Sequence, residues 1–152
     1  MKTVTHTRSF EMPQPIANLF PLFSPEGEKY WVPGWDYHTP METTELCEDY
    51  VFFTRTHDHG ATEAIWIVKE HDPDAHRVSF YKIEPGEKLG VITVQCSELA
   101  PARTRVQVSY KYLALSTTGE EFLAGFSESA YAAFIGEWQR LLSDYFASPG
   151  PT

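Results

Sequence analysis

A chain of 152 residues with 42% hydrophobic and 22% charged residues has the profile of one soluble globular domain with a sizeable core. The formal net charge of -9 at pH 7, with no basic cluster, argues against nucleic acid and anionic membranes as partners. Aromatic residues reach 14%, with 4 Trp, 8 Tyr and 10 Phe, enough to thicken a core or to line a cavity for an apolar ligand.

In chain order, TVTHTRSF (3–10) alternates polar and apolar residues and predicts a strand with Val4, His6, Arg8 and Phe10 on one face. Pro13 and Pro15 then open a short helix, PIANLFPLF, whose apolar side carries Ile16, Leu19, Phe20 and Phe23. Ser24 followed by Pro25 is a second helix start, with Glu26 and Glu28 in the first turn, and Pro33-Gly34 stops it. From Trp35 the period changes to two, predicting strands at 35–46, 50–57, 62–71, 76–84, 89–99 and 103–115. The breaks HDHGA, DPDA, PGEK and APAR are short, so the strands form an antiparallel meander. Residues 119–146 read as one long amphipathic helix bearing Phe122, Phe126, Phe134, Trp138, Leu141, Leu142 and Tyr145, capped by Thr117 or Thr118. The fold class is α+β: a curved seven-stranded antiparallel sheet gripping a long C-terminal helix, with two short helices between strands 1 and 2. One domain spans 1–147, and 148–152 (SPGPT) reads as a disordered tail.

Cys47 and Cys96 lack any redox or zinc spacing and read as two buried free thiols of a reducing cytoplasm. The start, MKTVTHTRSFEM, has no hydrophobic run of the signal-peptide kind. Apolar runs stop at about five residues, against the roughly twenty that a membrane-spanning helix needs. A cytoplasmic protein without stable membrane insertion is expected.

The element order, with the run NLFPLFSPEGEKYWVPGW and the stretch TRVQVSYKYLAL before the last helix, resembles the START-like or SRPBCC superfamily over residues 2–147. This is the helix-grip, birch-pollen-allergen-type fold, and the first run is similar to a branch of uncharacterised bacterial members. The resemblance implies an internal cavity for a small hydrophobic molecule such as a lipid, sterol, polyketide or aromatic metabolite. Relatives include binders, polyketide cyclase-like enzymes and activators of a chaperone ATPase. No catalytic motif is common to the superfamily, so none carries over.

Strand parity points Ala64, Trp66 and Val68 inward, with Val78 and Phe80, and with Val106, Val108, Tyr110 and Tyr112. The parity of 89–99 stays open, because Ile92, Val94 and Cys96 compete with Val91, Thr93 and Gln95. Trp35, Tyr37, Trp66, Phe80, Tyr110, Tyr112, Phe126 and Trp138 are the candidate ligand-binding wall; the alternative is that they pack as ordinary core. Trp31 reads as a staple between short helix and sheet, and Trp35 with Tyr37 as a rim hinged at Pro33-Gly34. His6 and Arg8 are the polar centre of the pocket if their face is inward, and edge residues if it is outward.

Neither metal nor cofactor is expected. His57 and His59 in HDHG and Asp72, Asp74 and His76 in HDPDAH sit at opposite ends of one strand, too far apart for one ion. No Ser-His-Asp, Cys-His or phosphate-cradling glycine pattern is present. Three functions remain: a binder of a small hydrophobic or aromatic ligand, a polyketide cyclase/dehydratase-like enzyme using His6, Arg8 or a tyrosine, and a protein-interaction module. The last would use the outer face carrying Ile65, Ile67, Tyr81 and Ile83.

Overall fold

The computed structural model describes residues 2–55 and 63–148. The elements run β1 (Thr3–Met12), α1 (Ile16–Leu19), α2 (Pro25–Glu28), β2 (Tyr37–His38), β3 (Val51–Arg55) and β4 (Glu63–Asp72). Then come β5 (Arg77–Glu84), β6 (Lys88–Ala100), β7 (Arg103–Ala114), α3 (Thr117–Gly125) and α4 (Glu128–Ala147). One antiparallel sheet has the order β1-β7-β6-β5-β4-β3-β2, so consecutive hairpins build it and the first strand returns to pair with the last. His6 lies opposite Tyr110 and Phe10 opposite Val106 in that closing pair.

Alternation decides what faces the helices. On β7, Thr104, Val106, Val108, Tyr110 and Tyr112 are buried while Arg105, Gln107 and Lys111 are exposed. On β4 and β5, Ala64, Val68, Val78 and Phe80 are buried, with Trp66 half-buried among them. The open parity of β6 resolves toward Ile92, Val94 and Cys96, all buried. Register irregularities between Val68 and Glu70 and between Glu98 and Ala100 add local bending, which helps the sheet to curl.

Four expectations are corrected. The single long helix is two: α3 ends at Gly125, Phe126 leaves helical geometry, and Ser127 caps α4 by accepting from Ala130 N at 3.1 Å. Ser116, not a threonine, caps α3, accepting from Gly119 N at 3.3 Å. The strand expected at 35–46 shrinks to Tyr37–His38, because Pro40 has no N–H to give a ladder and the run 41–45 is exposed. Cys47 is exposed and only Cys96 is buried; both are free thiols.

The two short helices lie where the sequence placed them. Pro21 turns the end of the first into a single 3-10 turn, Phe20–Leu22. Ser24 caps α2, accepting from Gly27 N at 2.9 Å, with Pro25 at the first helical position. Gly27 is required by packing, since a Cβ there would lie 2.3 Å from the Pro21 carbonyl oxygen. Trp31 Nε1 donates to Leu22 O at 2.9 Å and Trp35 Nε1 to Pro25 O at 2.8 Å. The aromatic and proline-rich segment therefore folds on itself, with each indole pinning a carbonyl of the preceding turn.

Candidate functional site

A cavity of about 260 Å³ lies between the concave sheet and the α3–α4 junction, lined by Lys82, Lys88, Tyr110, Tyr112, Phe122, Phe126 and Phe134. Tyr110 and Tyr112 project inward from successive inward positions of β7, their ring centroids 5.8 Å apart. Phe126 comes from the irregular turn that separates the two helices, so the break in the helix is what presents this ring. Its centroid is 5.3 Å from that of Tyr112 and 5.5 Å from that of Phe122. Gly90 lies opposite Tyr112 in the ladder, and a Cβ there would lie 2.8 Å from the Tyr112 ring, so glycine leaves room for the tyrosine. Phe134, 41% exposed, stands at the cavity's open side.

The cavity floor carries charge. Lys88 is 2% exposed, with its ammonium 2.9 Å from Glu84 Oε2 and 2.8 Å from Glu87 Oε1. The same Nζ lies 3.8 Å from the Phe122 ring centroid and 5.6 Å from that of Tyr112. The triad is roofed by the start of α3. Leu115 N donates to Glu87 O at 2.8 Å, and a Cβ on Gly119 would lie 2.0 Å from that oxygen.

A second cavity of about 230 Å³ is lined by Val32, Pro33, Gly34, Trp35, Asp36, Thr54, Arg55, Trp66 and Lys82. Lys82 borders both cavities, and its ammonium lies 5.3 Å from the Trp66 ring centroid. Glu28, at the end of α2, couples electrostatically to Lys82 and Tyr110 and makes no side-chain hydrogen bond among the described residues. Burial pushes its carboxyl up to about 8, with Lys82 pulling the other way. Burial likewise raises the Tyr110 phenol well above its ordinary value, with the neighbouring Tyr112 and Glu28 adding to the effect. Tyr112 is raised first by burial and then by Glu84 and Glu87. Both phenols therefore stay protonated at ordinary pH.

The candidate wall divides. Tyr110, Tyr112 and Phe126 line the first cavity, and Trp35 and Trp66 line the second. Tyr37 flanks the second: its ring packs against Trp35 and Phe52, and its hydroxyl donates to Glu26, which Lys29 also pairs at 2.8 Å. Phe80 lies beneath both Phe52 and Trp66 as packed core. Trp138 fills the space between α4 and the α2 segment, stacking on Phe23 and meeting Trp31 edge-on at 5.6 Å.

His6 and Arg8 part company. His6 Nε2 lies 2.7 Å from the Phe126 carbonyl oxygen, and its ring stacks on Tyr131 at 5.3 Å, so it ties β1 to the helix junction. Arg8 is exposed, although it shares that face. β1 is an edge strand, and a long side chain there has a route to water. The reading of Arg8 as a polar pocket centre is corrected on this ground. Among the described residues no group of three His, Cys, Asp or Glu side chains forms a metal site; His57 and His59 lie outside the described residues. A groove by Glu11, Met12, Pro13, Ala102 and Arg103 lies at the far end of β1 and β7, away from all of these groups.

No known protein-family profile matches the chain, and no curated protein matches it in sequence. Solved structures do match in shape. Ginseng major latex-like protein 151 from Panax ginseng superposes with a TM-score of 0.68 at 17% identity, covering 95% of this chain and 98% of that one. Ara h 8.0201 gives 0.64 at 13% identity, over 93% of this chain and 99% of that one. Norcoclaurine synthase from Thalictrum flavum, in complex with dopamine and hydroxybenzaldehyde, gives 0.61 at 13% identity, over 93% and 87%.

The chain has the helix-grip fold.

Within this helix-grip architecture, sequence reasoning missed Lys82, Lys88, Phe122 and Phe134 as lining residues and Glu28 as an interior carboxyl. A signal existed for Lys82, which continues the inward series Val78, Phe80. Lys88 sits in the turn EPGEK, which reads as solvent from its own residues; it is α3, far along the chain, that buries it.

Proposed function

We propose that the chain binds a small hydrophobic, aromatic-bearing molecule in the cavity walled by Tyr110, Tyr112, Phe122 and Phe126. The observation that carries this reading is the concentration of aromatic rings around about 260 Å³ of unfilled space beneath the helix junction. Apolar burial at roughly 25 cal/mol per Å² supplies affinity, and the few polar groups set orientation. The helix-grip relatives support the reading, since one of them is a synthase solved with two small aromatic molecules. A screen of fatty acids, sterols, flavonoids and polyketide-like aromatics by NMR chemical-shift perturbation tests it. Shifts confined to β7, α3 and the α3–α4 turn are expected, and no response across the panel sinks it.

Glu28 favours a second reading, a cyclase- or dehydratase-like proton-transfer enzyme. A carboxyl raised to about 8, coupled to Lys82 and Tyr110, is suited to exchange a proton near neutral pH. Its test is a Glu28→Gln variant that still binds the hit from the screen but no longer converts it. Turnover that survives in this variant removes Glu28 from the chemistry. The interaction-module reading finds less support, because Ile65, Ile67, Tyr81 and Ile83 are half-buried and the interior holds cavities. Among the described residues no helix is long and apolar enough to cross a membrane. The free thiols of Cys47 and Cys96 support a cytoplasmic location.

A further inference from the structure

The two cavities share one floor. Across the concave side of the sheet the ladder runs Phe52, Trp66, Lys82, Gly90 and Tyr112, each opposite the next on the neighbouring strand. The first cavity lies over the Tyr112 end of this row and the second over the Trp66 end. Lys82 stands between them and is the residue common to both linings. It is half-buried, with its ammonium 5.3 Å from the Trp66 ring centroid and coupled to Glu28 of α2. A lysine stem is long and flexible, so this divider can swing, whereas Lys88 is clamped between Glu84 and Glu87. Size points the same way. At about 260 and about 230 Å³, each cavity falls short of the roughly 300 Å³ at which small-molecule sites begin, and the two joined lie inside that range. The indole N–H groups at the second cavity are already engaged, Trp35 with Pro25 O at 2.8 Å and Trp66 with Thr54 Oγ1 at 2.9 Å. What those indoles have left to offer is ring surface.

We propose that the two cavities are halves of one elongated site, whose ligand carries two aromatic rings joined by a short polar linker that passes Lys82. This rests on the reading of the first cavity as a ligand site and extends that site to the second. One ring packs against Phe122 and Phe126, and the other against Trp35 and Trp66. The linker crosses where Lys82 and Tyr110 bring polar groups to the lining, and a bare alkyl chain there would strip them of water and return nothing. Trp66 and Tyr112 stand three strand spacings apart in the row, about 14 Å, so rings with centres about 10 Å apart fit between them. A single ring reaches only one end.

The probe is N-benzyl-2-phenylacetamide, titrated into the labelled protein beside its two halves, N-benzylacetamide and N-methyl-2-phenylacetamide. The indole N–H resonances of Trp35 and Trp66 report on the second cavity, and the backbone amides of Phe122 and Phe126 on the first. The two-ring probe is expected to shift both sets along one binding curve, with one molecule per chain, about a hundredfold tighter than either half. Lys82→Ala removes the divider and is expected to tighten the two-ring probe several-fold more than the halves. A two-ring probe that shifts only the Phe122 and Phe126 set, or binds no tighter than its halves, overturns the joined site while the first cavity stands as a ligand site. Failure of all three probes to shift the Phe122 and Phe126 set overturns both. The comparison on the unaltered protein decides the matter even if the variant folds poorly.

Discussion

At the scale of single residues, the interior charges carry the sharpest consequences. The Glu28 carboxyl is raised from 4.5 to about 8, so its folded form holds a proton that the unfolded chain releases. Stability from this group is complete below pH 4.5 and is lost as pH rises toward 8. Within that window each pH unit costs up to about 1.4 kcal/mol. The charged and titratable groups that face it are Lys82 on β5 and Tyr110 on β7. Urea unfolding across pH is expected to show this decline in the natural protein and to lose most of it in Glu28→Gln, which keeps a neutral side chain throughout. A decline of the same size in the variant would place the titration elsewhere. Lys88→Met removes the partner of two buried carboxylates and is expected to destabilise by about 3 kcal/mol or more, read from the shift of the urea midpoint. The sequence hid both residues for a physical reason. Glu28 looks like an ordinary acid of a first helical turn, and only the orientation of that turn aims it at the interior. Lys88 looks like a turn lysine until a distant helix covers it.

Among the elements, the strands were legible and the helices less so. Period-two alternation placed Trp66, Val78, Phe80, Val106, Val108, Tyr110 and Tyr112 on the concave side, because a pleated strand leaves a side chain only two faces. Alternation failed at Arg8, where facing inward on an edge strand is not the same as being covered. It also failed to bound β2, where proline and a polar run deny the ladder its partners. The helix break at Phe126 was legible only in part. Apolar spacing runs through it, but Gly125 and Ser127 are a stop and a cap read together. The break matters because it turns Phe126 into the cavity. Ser127→Ala is expected to cost about 1 kcal/mol through loss of the α4 cap, measured by thermal unfolding. Gly27→Ala is expected to cost about 2 kcal/mol or more, since its methyl group meets the backbone of the preceding turn. A Gly27→Ala variant as stable as the natural protein would show that α2 is free to lift from the 3-10 turn beneath it.

For the whole molecule, the order of strands and helices carried the fold, and matching structures at 17% identity or less share it over almost their full lengths. That order predicts a cavity but not its chemistry, which depends on side chains brought together from β5, β6, β7, α3 and α4. Space remains because the helix junction spans the sheet without filling its curl; the room that Gly90 leaves is taken up by the Tyr112 ring. The central claim is that this space holds the ligand. The most direct measurement is of intermolecular NOEs between a bound hit from the screen and the labelled protein. NOEs from the ligand to the rings of Tyr112, Phe122 and Phe126 are predicted. NOEs confined to Ile65, Ile67, Tyr81 and Ile83 on the outer face would contradict the account and move the binding site to the convex surface of the sheet.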